Sequence, residues 1–308
     1  MQLVTLGRTG LDVSVMGLGG GGDSRLGVRT DASEATRLVR LALDRGVNFI
    51  DTAEAYGTED VIGQALSEVR RTDVVLSTKK TTFGERPLQP EAVVASLEAS
   101  LKRLRTDYVD VYHLHGVAPD DYSDLRERIV PVLLDLRRQG KIRFLGITEK
   151  FAADPQHRML EQALNDNVWD VVMVGFNFLN QSARERVFHR ARARNIGTLI
   201  MFAVRRALSQ PERLAEVLSE LAERRQISRE QARAGLSFLV QKGVAGSIPE
   251  AAYRFCRYEP GAHVVLSGTS REAHLLENLT SLNLPDLPQA TRTRLRELFA
   301  GVDHLSGQ

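Results

Sequence analysis

The chain predicts an α/β fold of one kind, a (β/α)8 barrel with a short N-terminal hairpin and closing C-terminal helices. Three observations predict it. Eight short, mostly apolar segments recur along 308 residues, and a helix-like pattern follows each. The segments read as buried on both faces, as strands of a covered parallel sheet must be. No linker separates the units, so residues 1–308 read as a single domain.

The opening LVTLGRTGLDVS alternates and turns at Gly7 and Gly10, which predicts the hairpin. Val13 to Gly19 reads as the first barrel strand and empties into four glycines, Gly19 to Gly22. Ser33 to Arg45 carries Ala35, Leu38, Leu41 and Ala42 at helical spacing, with Asp31 or Ser33 as its cap. Val47 to Ile50 is the second strand. It ends on Asp51, is followed by a loop with Tyr56, and then by a helix near Thr58 to Val69. Val74 to Lys79 is the third strand, with Pro90 to Arg105 helical after it. DYVDVYHLHG gives a strand ending near His115, followed by a helix over Leu125 to Arg138. Ile142 to Thr148 is a strand and Pro155 to Leu164 a helix; Val171 to Phe176 is a strand and Ser182 to Arg194 a helix. Gly197 to Phe202 is the seventh strand, leading to a long helical region broken near Gly243 to Gly246. His263 to Gly268 is the last strand, and Arg271 to Ser281 and Gln289 to Phe299 are the closing helices. The rival is a doubly wound open sheet, because Gly17, Gly19 and Gly22 have the G-x-G-x-x-G spacing. That fingerprint needs a helix directly after it, and DSRLGVRTD intervenes.

Composition narrows the function classes. Apolar content of 43% and charged content of 26% are ordinary for a globular protein. The net charge of +2 announces no nucleic-acid partner, and no apolar run is long enough to span a membrane. MQLVTLGRTG lacks the apolar core of a signal peptide, so the cytoplasm is the expected compartment. Cys256 is the only cysteine, which leaves no intrachain disulfide and no multi-cysteine metal site. It sits in an apolar helical stretch, as a buried inert thiol does. His113 lies two residues before His115 and packs deeper in the barrel; with no third ligand in view, no metal site is expected. Trp169 precedes a strand and reads as a packing residue.

Active sites of such barrels gather at the C-terminal strand ends. Here those ends carry Gly19, Asp51, Lys79, His115, Thr148 with Glu149, Asn177, Phe202 and Gly268. A carboxylate at a strand end is poorly solvated unless a cation meets it, and Lys79 is that cation. Alternation places Lys80 on the opposite side. A tyrosine has an ordinary pKa of about 10, too high for efficient proton transfer near neutrality, and a nearby ammonium lowers it. Asp51, Tyr56, Lys79 and His115 would then exchange a proton with an oxygen while chemistry proceeds at the attached carbon. None of them carries electrons, so a redox reaction needs a cofactor. Gly268, Thr269 and Ser270 follow the last strand at a helix start and suit a phosphate, with Arg271 and His274 adding donors.

The chain resembles the aldo-keto reductases over nearly its whole length. The motifs LGRTGLDVS, NFIDTAEAYG, LSTKK, DVYHLHG, GKIRFLGIT and SGTSREAHLLENL carry the resemblance. It implies a catalytic tetrad of Asp51, Tyr56, Lys79 and His115, and an extended nicotinamide cofactor with NADP(H) favoured over NAD(H). Asp51 and Gly20 would lie at the nicotinamide end and Phe202 would stack on the ring. Gly268, Thr269, Ser270, Arg271 and His274 would hold the adenosine ribose and its 2′-phosphate, and Glu277 and Asn278 the adenine. The chain departs from the family where the carboxamide is usually held. Thr148-Glu149 replaces Ser-Asn, Met173 replaces a glutamine, and Ala203-Val204-Arg205 replaces Ser-Pro-Leu, so Arg205 or Arg206 would serve the pyrophosphate. The implied partner is a small carbonyl or alcohol, with Arg25, Phe83 and Val117 beside Tyr56 and His115 as candidate lining. Two other classes stand beside this one: a Schiff-base lyase or aldolase using Lys79, and a cofactor-binding regulatory subunit like those of some ion channels. Nothing in the sequence sets the oligomeric state.

Overall fold

Eight parallel strands close into a barrel in the computed structural model, which describes residues 1–84 and 87–308. An antiparallel pair, β1 (Leu3–Thr5) and β2 (Asp12–Ser14), precedes it. The barrel strands are β3 (Met16–Gly19), β4 (Phe49–Asp51), β5 (Val75–Thr81), β6 (Val109–Val117), β7 (Ile142–Glu149), β8 (Val171–Gly175), β9 (Gly197–Met201) and β10 (Val264–Ser267). Each pairs with the next, and β10 returns to β3, so no edge is left open. The expected strand Val13 to Gly19 is two strands. At Val15 the chain leaves the hairpin for the barrel, its N–H bonded to Gln2 O and its carbonyl accepting from Val265 N.

Around the barrel run α1 (Ala32–Asp44), α2 (Glu59–Leu66), α3 (Pro90–Leu104), α4 (Tyr122–Arg128), α5 (Val130–Arg138), α6 (Arg158–Ala163) and α7 (His189–Ala193). They continue with α8 (Arg206–Ser209), α9 (Pro211–Glu223), α10 (Arg229–Ala234), α11 (Ile248–Arg257), α12 (Glu272–Asn283) and α13 (Gln289–Leu298). Asp31 caps α1 by accepting from Ser33 N and Glu34 N. The single helix expected over Leu125 to Arg138 divides at Ile129, because Pro131 in the first turn of α5 offers no N–H to the turn before it. The long region after β9 is four helices. Pro211 opens α9, left-handed Arg225 follows its end, and Ser228 caps α10 with a reciprocal Gln231 bond. The helix expected over Pro155 to Leu164 shrinks to α6, since His157 before it is left-handed at φ 60°. The one expected over Ser182 to Arg194 begins as a π-turn, Arg184–Phe188.

The core has two parts. The larger lies between strands and helices, where Trp169, Phe176, Phe188 and Phe255 are fully buried. The smaller fills the N-terminal end of the barrel, where Phe49, Val75, Val111, Val171, Met173, Leu199 and Val264 meet Leu6, Leu11 and Val13 of the hairpin. Gly7, at φ 49°, lets the hairpin lie against the Gly197 backbone, where a side chain would collide. The hairpin thus stoppers one end of the barrel and leaves chemistry to the other. Among the described residues, no helix is long and apolar enough to cross a membrane.

Candidate active site

Strand register stacks the polar residues above this apolar floor. Asp51 lies beside Ser77, Lys79 beside His113, and one step further up Thr81 lies beside His115. Alternation then points Asp51, Ser77, Lys79 and His113 into the barrel. Lys79 Nζ donates to Asp51 Oδ2 at 2.6 Å and to Thr52 O at 2.6 Å, and Ser77 Oγ donates to Asp51 Oδ1 at 2.8 Å. Burial pushes the Asp51 carboxyl up and the Lys79 ammonium down, each opposed by its partner. The Lys79 side chain has no exposed surface, so its amine is not presented to a carbonyl as a Schiff-base reaction requires. Lys80 faces the other way and pairs with Glu54 at 3.1 Å.

Above the pair, Tyr56 OH and His115 Nε2 are 3.1 Å apart, with their rings edge to face. Burial and then the Lys79 charge push the His115 pKa down to about 3, so the imidazole is neutral at pH 7. The expected tuning of Tyr56 by Lys79 is not what the geometry gives. Lys79 Nζ sits 5.1 Å from the centre of the Tyr56 ring and spends its bonds on Asp51 and Thr52. Burial and then the Asp51 charge push the phenol above its ordinary value, and the cation that opposes them is Arg25. Gly21 completes the seat, because a Cβ there would stand 2.7 Å from Tyr56 Cε2 and Cζ. A glycine run gives no sign in sequence of which ring it must clear.

The expected lining residues separate. Phe83 is 44% exposed and turns its ring toward His115, 6.0 Å centre to centre. Arg25 Nη1 reaches Tyr56 O at 3.4 Å. Val117 is fully buried in the outer core, because an irregularity in the β6–β7 register between Leu114 and Val117 turns it away from the face that His115 occupies.

The cofactor candidates fall into two groups. At the start of α12, Ser270, Arg271, His274 and Glu277 are exposed, and Gly268 lies against Gly19, where a Cβ would come 2.5 Å from its carbonyl. The helix has no side-chain cap, although Thr269 Oγ1 accepts from Arg271 N at 3.1 Å and Glu272 sets a carboxylate in the same turn. Asn278 Nδ2 donates to Ser267 Oγ at 2.9 Å, leaving its carbonyl oxygen for a base. The loop after β3 touches this turn, with Gly27 against Ser270. The second group surrounds Phe202, which is left-handed at φ 66°. Arg205 lies 3.8 Å above its ring, and the Arg205 Nη1 is buried without a partner among the described residues. That orphaned donor and the uncapped α12 start both suit a molecule with phosphates. Arg206 instead pairs with Asp23 at 2.8 Å on the surface, clasping the loops after β3 and β9.

Three residues expected at the cofactor already hold partners within the chain. Glu149 is sealed from solvent. His157 Nδ1 lies 2.9 Å from its Oε2, and Gly175 N donates to its Oε1 at 2.8 Å, so the acid offers nothing to a carboxamide. Thr148 Oγ1 accepts from Gly116 N at 2.8 Å, and Gly20 N donates to Asp51 O at 2.7 Å. The sequence hides the reason: Phe151 wedges between His157 and Phe202, stacked on both, over Gly175, where any side chain would overlap its ring.

Comparison with known proteins places the fold. The model of the Aldo/keto reductase family matches residues 15–299. L-galactose dehydrogenase of Arabidopsis thaliana is 34% identical over 154 residues, 48% of this chain and 48% of that protein. The chain thus spans about half the length of that curated relative. The NADH-specific methylglyoxal reductase of Escherichia coli is 26% identical over 98% of this chain and 100% of its own. Among solved structures, the holo form of aldo-keto reductase AKR11C1 from Bacillus halodurans superposes with a TM-score of 0.73 at 22% identity, covering 97% of this chain and 96% of that one. With the family match running from the first barrel strand to the last helix, this chain belongs to the aldo/keto reductase family.

Proposed function

We propose that the protein is an NADP(H)-linked oxidoreductase that interconverts a carbonyl compound and its alcohol, with Tyr56 as the proton donor in reduction. The observation that carries the reading is the Tyr56 hydroxyl 3.1 Å from His115 Nε2, above the buried Asp51–Lys79 pair. A carbonyl oxygen seated against both groups accepts from the phenol and from the neutral imidazole. A reduced nicotinamide, held by Phe202, Arg205 and the start of α12, would supply the hydride, two electrons to the carbonyl carbon. Tyr56 then passes its proton to the oxygen and regains one from water at the open mouth. The phenol is protonated at neutral pH, the form that donates; because burial raises its pKa further, the transfer depends on the negative charge that develops on the substrate oxygen as the hydride arrives. Asp51 and Lys79 hold the floor of the site. The rings of Phe202 and Phe83 offer apolar walls.

The preference for NADP(H) rests on Ser270, Arg271 and His274 around the uncapped start of α12. The Escherichia coli relative, named for NADH, makes the choice a matter for measurement. Fluorescence titration with both reduced cofactors tests it, and equal affinity refutes the preference. Tyr56→Phe tests the chemistry. Reduction of a good substrate is expected to fall at least about 100-fold with cofactor binding retained, and wild-type turnover by the variant would reject the assignment.

A further inference from the structure

We propose that Arg25 is a specificity residue that reads a carboxylate on the substrate, so that the preferred carbonyl compounds are anionic oxo-acids. The inference rests on the carbonyl-reductase reading above and adds the substrate class.

Arg25 and Leu26 are consecutive non-glycine residues in the left-handed region, at φ 42° and φ 55°. That conformation is disfavoured for both and persists only where surrounding structure imposes it. Here Leu26 imposes it by sinking fully into the core, while Gly27 N closes the turn on Ser24 O at 2.7 Å. The result is to hold the Arg25 guanidinium at the rim of the catalytic tyrosine, where its one bond among the described residues is a long one, 3.4 Å to Tyr56 O. Arg25 makes no salt bridge among the described residues.

The carboxylates that face this region are committed elsewhere. Asp51 holds Lys79, Glu54 holds Lys80, and Glu149 is sealed against His157. Asp23, on the same loop, reaches across to Arg206. Lys150 makes no salt bridge among the described residues, and beyond Phe83 its Nζ stands 5.4 Å from the centre of that ring. The mouth therefore presents a proton donor at Tyr56, an apolar wall at Phe83, and positive charge at Arg25 and Lys150. Arg25 Nη1 stands 3.4 Å from the Tyr56 backbone carbonyl, about one tyrosine side chain away from the hydroxyl that would protonate the substrate. A planar fork of donors at that distance matches a carboxylate carried a few atoms from the reacting carbonyl.

The test compares 4-carboxybenzaldehyde with its neutral methyl ester, in the wild type and in Arg25→Gln and Arg25→Lys. The readout is the ratio of kcat/KM for acid over ester, which cancels any general effect on Tyr56 or on cofactor binding. The wild type should prefer the acid. Arg25→Gln should cut the ratio about 10- to 100-fold, and Arg25→Lys should restore part of it. An unchanged ratio, or a rise in cofactor KM with equal losses on both substrates, overturns the proposal and assigns Arg25 to the cofactor or to Tyr56. If the wild type reduces neither compound, the carbonyl-reductase reading is what fails. Anion recognition is then judged by calorimetric titration of 4-carboxybenzaldehyde into wild type and Arg25→Gln. Weaker binding to the variant upholds it, and equal affinity overturns it.

Discussion

Acid should cost this protein about 2 kcal/mol by pH 5 through His115 alone. The folded ring has its pKa at about 3, because burial and the Lys79 ammonium disfavour imidazolium. An unfolded histidine titrates near 6.5. The stability that comes from keeping the ring neutral is therefore complete above pH 6.5 and is lost as pH falls toward 3. Between those values the unfolded chain binds a proton that the folded chain refuses. Each pH unit there costs about 1.4 kcal/mol, which gives about 2 kcal/mol from pH 6.5 to 5. The perturbation is His115→Gln, which keeps an N–H donor near Tyr56 but does not titrate. Urea unfolding of both proteins at pH 7.5, 6 and 5 gives the comparison. His113, also buried and held well below its ordinary value, is present in both and largely cancels. The wild type should lose about 2 kcal/mol more than the variant between pH 7.5 and 5. Parallel stability profiles would refute the reasoning, because they would mean that His115 is solvated enough to charge in the folded state.

Lys79→Met should destabilise the fold by about 3–5 kcal/mol at pH 7.5, because it leaves the Asp51 carboxylate buried without its cation. The loss should shrink in acid, as Asp51 protonates, and a loss below about 1 kcal/mol in urea unfolding would contradict the buried pair. Gly21→Ala should push the Tyr56 ring by roughly 0.7 Å, the shortfall between 2.7 Å and an ordinary contact of 3.4 Å. Displacement on that scale should lower kcat by roughly 10- to 100-fold in a carbonyl-reduction assay, with cofactor affinity little changed. Cys256 is fully buried, and burial pushes its thiol well up. A thiol reagent such as DTNB should react with the native protein only at the unfolding rate and within seconds in urea.

What could be read from sequence and what could not divide along a physical line. Strand order, the Asp51–Lys79 partnership and the opposite facing of Lys80 follow from period-two alternation and from the cost of a lone buried charge. These are local or pairwise arguments, and a single chain supplies them. The shape of the mouth depends instead on which ring fills which gap. Glu149 looks like a free acceptor in sequence. It becomes a buried partner of His157 only because a left-handed turn at His157 carries the imidazole back over the end of β7. Phe151 can fill the space between only because Gly175, far along the chain, has no Cβ. The same holds for the cation that acts on Tyr56. Sequence order suggests the nearest strand-end cation, Lys79. The folded chain gives Lys79 two closer acceptors and brings Arg25 in from a loop whose left-handed backbone no propensity would place there. The residues that perform the proposed proton transfer are thus set by the barrel. The residue proposed to choose the substrate is set by a strained turn, which is why a reaction type can be argued from the chain while the proposed substrate class rests on the folded mouth.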